Sequence, residues 1–297
     1  MSAVSAVAVP RTAGQTARDY ISLLKLRIVA LLDATAVGVM FPAAHGHPRL
    51  MPVVAVLVGG TLAAGGAHAI NCWFDRDIDA AMGRTRRRPL PAGRIPAWHA
   101  LAMGIALNVI AFAVLWAAAN LLAAVLALSG TLIYVFVYTI WLKRSTPQNI
   151  VIGGAAGAVP PLVGWAAVTG RLDLTALALF GVIFFWTPPH FWALAQMIKA
   201  DYARAHIPML PVVSSARSAN LQSIGYAVLT AAVSLIPAFT GSVGTVYLAG
   251  AAVLGVGLVA VTVLNLRSRS WARRVFTYSI AYLTLLFALF AVAPFLP

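Results

Sequence analysis

Nine stretches of about 17–25 mostly apolar residues, joined by short connections that hold nearly all the charge, leave this chain few folds to choose from. They fall at 26–42, 51–73, 98–117, 120–141, 149–168, 174–196, 220–240, 243–265 and 276–296. In lipid every backbone polar group must find its partner inside the protein, so only helices or a closed barrel can cross. Unbroken runs, as opposed to alternating ones, select helices. Of 297 residues, 61% are hydrophobic and only 9% charged, where a soluble domain carries roughly 25% charge. Nine spans of about 20 residues consume nearly the whole apolar content. The expectation is an all-α polytopic membrane protein, a bundle of nine transmembrane helices in a single domain over 1–297. Residues 1–20 are expected to be a flexible cytoplasmic segment. Its short apolar stretch, Ala3 to Val9, has no basic residue before it, which argues against a cleaved signal peptide.

The basic residues give an orientation. With nine spans drawn, 19 of the 21 lysines and arginines fall on one side, leaving Arg49 and Arg171 for the other. Lys and Arg are retained on the cytoplasmic face, so the N-terminus is predicted inside and the C-terminus outside, in a bacterial cytoplasmic (inner) membrane. The net charge of +14 then reads as topology. It argues against a nucleic-acid partner, because the basic residues are spread over five short loops and form no single basic domain. One cysteine, Cys72, excludes an intrachain disulfide.

All seven acidic residues are aspartates, and three of them lie within five positions. Asn71, Asp75 and Asp79 stand at i, i+4 and i+8, spread over only about 80° of a helix. Hard oxygen ligands on one face suit Mg²⁺, which is commonly held by one or two carboxylates plus substrate phosphates. Arg84, Arg86, Arg87, Arg88 and Arg94 follow at once, and guanidinium forks match phosphate oxygens. The plainer alternative is a solvated loop whose arginines set topology and pair with the aspartates. Two more polar corners fall on the same side, Lys143-Arg144 and Lys199, Asp201 and Arg204. Three such corners could enclose one diphosphate, whereas a transporter keeps its polar groups near the midplane.

Three segments resemble the intramembrane prenyltransferases of the UbiA type. They are NCWFDRDIDAAMGRTRRRPLP from Asn71, YTIWLKRSTPQNIVIGGAAGAVPPLVG from Tyr138, and WTPPHFWALAQMIKADYARAHIPMLPVV from Trp186. The first marks the superfamily, and the Pro-Pro-His-Phe-Trp element of the last marks its haem-modifying branch. The resemblance implies the family's nine-helix bundle, with the prenyl diphosphate site near the cytoplasmic helix ends. It implies transfer of the farnesyl group of farnesyl diphosphate, with water, to a vinyl group of haem b, giving haem O for terminal oxidases. Haem b is then a substrate and Mg²⁺ the cofactor, with the lipid bilayer around the protein and haem A synthase or oxidase assembly factors as candidate partners. By the same resemblance Asn71, Asp75, Asp79 and Asp201 would hold metal. Asn71, Arg84, Arg88, Lys143 and Lys199 would bind diphosphate, and Asp75, Asp79, Lys143, Lys199 and Asp201 would serve catalysis. The second loop departs from the wider family, which usually has two aspartates four apart; position 197 here is Met. His206 also stands where relatives favour Gly.

Ionising an allylic diphosphate and trapping the cation with an electron-rich vinyl group needs no Ser-His-Asp or Cys-His nucleophile, and none stands out. His190, after Pro188-Pro189, is the candidate haem-iron ligand by resemblance; the competing reading gives it a carbonyl freed by the prolines. His68 sits one turn before Asn71, where a packed histidine and a site residue are both open. His45, His47 and His99 read as solvated. Asp33, inside the first run, is costly as a charge and could pair with Lys25, Arg27 or another helix. The rivals are a prenyltransferase acting on an aromatic acid or quinone precursor and a non-catalytic haem carrier or chaperone.

Overall fold

A computed structural model describes residues 12–268 and 270–296, and is helical throughout with no strand among them. Residues 1–11, most of the N-terminal segment, lie outside the described residues, as does Arg269. The described remainder of that segment is helical: α1 spans Ala13–Leu23. A capping box explains why, since the Thr12 hydroxyl accepts from the Gln15 N–H and the Gln15 side chain accepts from the Thr12 N–H. Arg94 then ties α1 down through both oxygens of Asp19, and Tyr20 bonds His99. Thus His99 is a bonded residue, and Arg94 is committed to Asp19 and the Arg87 carbonyl.

The spans follow in order. They are α2 (Leu26–Ala43), α3 (Leu50–Phe74) with the short α4 (Arg76–Ala81), α5 (Ala97–Ala118), and α6 (Leu121–Leu132), which continues as a π-helix over Ile133–Leu142 into α7 (Lys143–Ser145). Next come α8 (Asn149–Thr169), α9 (Leu174–Met197), the short α10 (Lys199–Arg204) and α11 (Leu210–Val213), and α12 (Ala216–Ser234) with α13 (Ile236–Phe239). α14 (Thr245–Leu264) and α15 (Trp271–Val292) close the bundle. Among the described residues nine helices are long and apolar enough to cross a membrane, and their ends lie within five residues of the runs read from sequence. This is an integral membrane protein. Exposed Leu, Val, Ile and Trp side chains such as Leu57, Val109, Val253 and Trp141 give it an apolar outer surface, which suits lipid.

Between helices in lipid, close approach depends on small residues. A Cβ on Gly66 would come within 2.7 Å of the Gly104 carbonyl oxygen, and one on Gly104 equally close to that of Gly66, so α3 and α5 cross with backbones touching. One core packs Val39, Trp165, Leu179, Tyr247, Tyr282 and Phe290 between α2, α8, α9, α14 and α15. A smaller one unites the loops at the basic end: Ile78 and Met82 pack with Ile150, Ala195, Tyr202 and Ile207. That cluster brings the second-to-third and sixth-to-seventh connections together.

Candidate active site

Asp75 is the pivot. It caps the C-terminus of α3, where the chain turns into α4, and only 1% of it is exposed. The i→i−4 bonds still run through the turn, Asp75 N to Asn71 O at 2.9 Å and Asp79 N to Asp75 O at 2.8 Å. Asn71 and Asp75 are directly linked, Nδ2 donating to Oδ2 at 2.7 Å. Lys143, arriving from the end of the fourth span, donates to the same Oδ2. Oδ1 of Asp75 is buried with no hydrogen-bond partner, and Arg144 approaches it to 3.9 Å. Asp79 is held by Arg88, whose Nη1 reaches both carboxylate oxygens at 2.8 and 3.0 Å. Arg144 forks onto exposed Asp77. Its hydrogen bonds hold the Asp77 carboxyl below the usual carboxylate range, against a smaller upward push from burial.

Two groups that the sequence reading passed over complete the cluster. Lys25, counted there as a topological charge, donates from Nζ to Asn71 Oδ1 at 3.0 Å. It sits between α1 and α2 with φ 52° and ψ 48°, a left-handed conformation costing about 1 kcal/mol or more outside glycine. Burial lowers its ammonium below the ordinary value, with Arg88 and Lys143 adding repulsion and Cys72 and Asp79 opposing it. Thr139, fully buried, accepts from Asn71 Nδ2 at 3.1 Å and donates to the Tyr134 carbonyl five residues back at 2.8 Å. The π-helix makes that possible by widening the turn, and such segments recur at functional sites. It also stacks Tyr134 on Tyr138, with His68 edge-on to Tyr134. Both ring nitrogens of His68 are buried without a partner. In sequence the fourth span is apolar on every side, so nothing in it signals the change of hydrogen-bond register.

The second loop is near but separate. Asp201 pairs with Arg204 on α10, and a Cβ on Gly83 would lie 3.7 Å from Asp201 and 3.9 Å from Arg204. Arg84 and Lys199 are exposed at this rim. Asp77, Ile78, Arg144, Arg204 and His206 line an open cavity of about 350 Å³ beside it. His206 has φ 53°, a backbone that favours glycine, which accounts for the residue the resemblance places there. α9 ends at Met197 with Ile198 as its C-cap, so His190 and Asp201 lie on separate helices. No three His, Cys or acidic side chains among the described residues group closely enough to hold a metal unaided. Asp75, Asp79 and Asp201 therefore do not form one cage. The donor set fits Mg²⁺ in its substrate-assisted mode, where protein carboxylates are few and phosphates complete the shell; the orphaned Asp75 oxygen is the observation that favours it.

His190 lies elsewhere, on the wall between α9 and α15. It bonds the Ser279 hydroxyl at 2.8 Å, not a carbonyl opened by the prolines. Asp33 accepts from Thr61 on α3 at 2.6 Å, so neither Lys25 nor Arg27 is its partner.

Fold and cluster together define a class, the helical intramembrane enzymes that keep carboxylates and cations at one end of an otherwise apolar bundle. Residues 31–286 match the UbiA prenyltransferase family. The chain is 52% identical to the protoheme IX farnesyltransferase of Symbiobacterium thermophilum, over 92% of this chain and 93% of that one. It is 52% identical to that of Gloeobacter violaceus, over 91% and 89%. It is also 52% identical to the protein of that name from Roseiflexus sp., over 93% of this chain, and spans about half that relative's length (52%). Among solved structures, a digeranylgeranylglyceryl phosphate synthase superposes with TM-score 0.80 at 17% identity, covering 94% of this chain and 99% of its own. A UbiA homologue from Archaeoglobus fulgidus bound to DMAPP and Mg²⁺ gives 0.64 at 19%, covering 92% and 99%. The chain belongs to the UbiA prenyltransferase family.

Proposed function

We propose that this protein transfers the farnesyl group of farnesyl diphosphate to a vinyl group of haem b, with addition of water, forming haem O and diphosphate. The observation that carries the polar half of this reading is the Asp75 cluster: a buried carboxylate with one unpartnered oxygen, paired with Lys143 and approached by Arg144, with Lys25 on neighbouring Asn71 and Arg88 on Asp79. The relatives' names supply the acceptor and the prenyl length.

Cleaving the allylic C–O bond puts negative charge on diphosphate and positive charge on the farnesyl carbon. Asp75, Asp79 and Asn71 would hold Mg²⁺, which would supply Lewis-acid neutralisation of departing phosphate oxygens. Lys143 and Arg88 then turn from their carboxylates to phosphate oxygens, adding fixed positive charge where negative charge develops. Arg84 and Lys199 extend that field at the rim, and Asp201 restrains Arg204 beside them. Tyr134 and Tyr138 offer ring faces below the cluster, suited to an allylic cation. The vinyl π pair forms the new C–C bond, the resulting cation beside the porphyrin takes up water, and one proton leaves. His190 is the proposed iron ligand for haem b. The N-terminus faces the cytoplasm in this reading, with the enzyme in the bacterial inner membrane.

The test is to incubate purified protein with haem b, farnesyl diphosphate and Mg²⁺ and to weigh the porphyrin by mass spectrometry. A gain of one farnesyl group and one hydroxyl is expected, lost in Asp75→Ala with the protein still folded. An unchanged porphyrin alongside a prenylated aromatic acid would replace this reading with its rival.

A further inference from the structure

His190 is fixed from three sides. Its imidazole is sandwiched between Trp186, with centroids 4.2 Å apart and planes 17° apart, and Phe276, at 4.7 Å and 22°. The Trp186 indole N–H is itself anchored on the Ser279 carbonyl at 2.8 Å. The third contact is the hydrogen bond between His190 Nδ1 and Ser279 Oγ at 2.8 Å.

Ser279 decides what that bond means. Its hydroxyl lies 2.8 Å from the Phe276 carbonyl, and a carbonyl only accepts, so the single hydroxyl hydrogen is committed there. Toward His190 the serine oxygen can then only accept. Nδ1 must carry the proton, and the lone pair is placed on Nε2. Nε2 makes no hydrogen bond among the described residues and is not one of the buried orphaned atoms. Because the two flanking rings block rotation of the imidazole, that lone pair keeps one direction. Metal-binding histidines commonly have this arrangement, the second ring nitrogen donating to an acceptor that sets tautomer and angle.

We propose that Ser279 is a positioning residue: by holding His190 in the Nδ1–H tautomer between Trp186 and Phe276, it presents Nε2 as the axial ligand to the iron of a metalloporphyrin. This rests on the haem-modifying reading and adds to it a second half-site, on the α9–α15 wall, built independently of the Asp75 cluster.

The full-length protein in detergent is titrated with ferric haem b and, separately, with iron-free protoporphyrin IX, without farnesyl diphosphate. Wild type shows an imidazole-ligated iron spectrum. Ser279→Ala weakens haem binding by about 10-fold or more, the scale of lost support to a metal-binding histidine, while iron-free porphyrin binding stays within about 2-fold. Ser279→Thr, which keeps the hydroxyl, restores both spectrum and affinity. His190→Ala abolishes the imidazole signature. Equal weakening for both porphyrins in Ser279→Ala, or an unchanged iron spectrum in His190→Ala, overturns the assignment. Farnesylated porphyrin from wild type with either of those results sinks this inference alone. Absence of both haem binding and product in wild type sinks the functional reading and this with it.

Discussion

Replacing Lys143 with methionine isolates the energetic core of the cluster. Lys143 and Asp75 are 14% and 2% exposed at their side chains, so the substitution leaves a buried carboxylate with Asn71 as its one remaining hydrogen-bond partner. Breaking a buried pair from one side costs about 3–5 kcal/mol. At about 2 °C per kcal/mol for a chain of this size, the thermal midpoint of the detergent-solubilised protein should fall by roughly 6–10 °C. Adding Asp75→Asn removes the stranded charge and keeps an amide against Asn71, so the double variant should recover more than half of that loss. The interaction term of a double-mutant cycle measures it directly. Activity should not recover, because the proposed chemistry needs both charges. Tryptophan-fluorescence melting of the four proteins, with turnover on haem b, gives both numbers. A double variant as labile as Lys143→Met would refute the reading of this pair as a buried, mutually dependent unit.

Other outcomes follow from the same contacts. Thr139→Val removes the acceptor that helps orient the Asn71 amide, so binding of a farnesyl diphosphate analogue should need several-fold more Mg²⁺, with Thr139→Ser restoring it. Since Arg144 holds the folded Asp77 carboxyl below its unfolded value of about 3.9, that pair stabilises above this pH and loses its effect as pH falls through the lower folded value. Asp77 is 62% exposed, so the pair is worth under about 1 kcal/mol. Asp77→Asn should therefore move the neutral-pH midpoint by about 2 °C at most and flatten the profile below pH ~4. Gly104→Val forces apart the α3–α5 crossing and should cost about 1–3 kcal/mol, seen as a lowered midpoint at every pH.

The spans were legible because lipid leaves a protein little choice: an unbroken apolar run must be a helix, and charge must collect at its ends. The first polar corner was legible for a similar reason, since Asn71, Asp75 and Asp79 sit at helical spacing and the chain keeps helical bonds across the turn. What escaped depended on partners remote in sequence. Lys25 reads as one more topological charge until α1 folds it over Asn71, 46 residues on. Ser279 has no local signal, and its meaning comes from a histidine 89 residues earlier. Asp33 was open among several partners because a threonine one helix away leaves no mark on the pattern. The π-helix and the pairing of Asp201 with Arg204 turn on backbone register and on where α9 stops, neither of which a hydropathy pattern encodes.

The most direct measurement is a structure of the full-length protein with Mg²⁺ and a non-hydrolysable farnesyl diphosphate analogue. The account predicts the diphosphate against Asp75 and Asp79, with Lys143 and Arg88 moved from those carboxylates onto phosphate oxygens and the chain running toward Tyr134 and Tyr138. A headgroup bound away from Asp75, with the Lys143–Asp75 and Arg88–Asp79 pairs left intact, would contradict it.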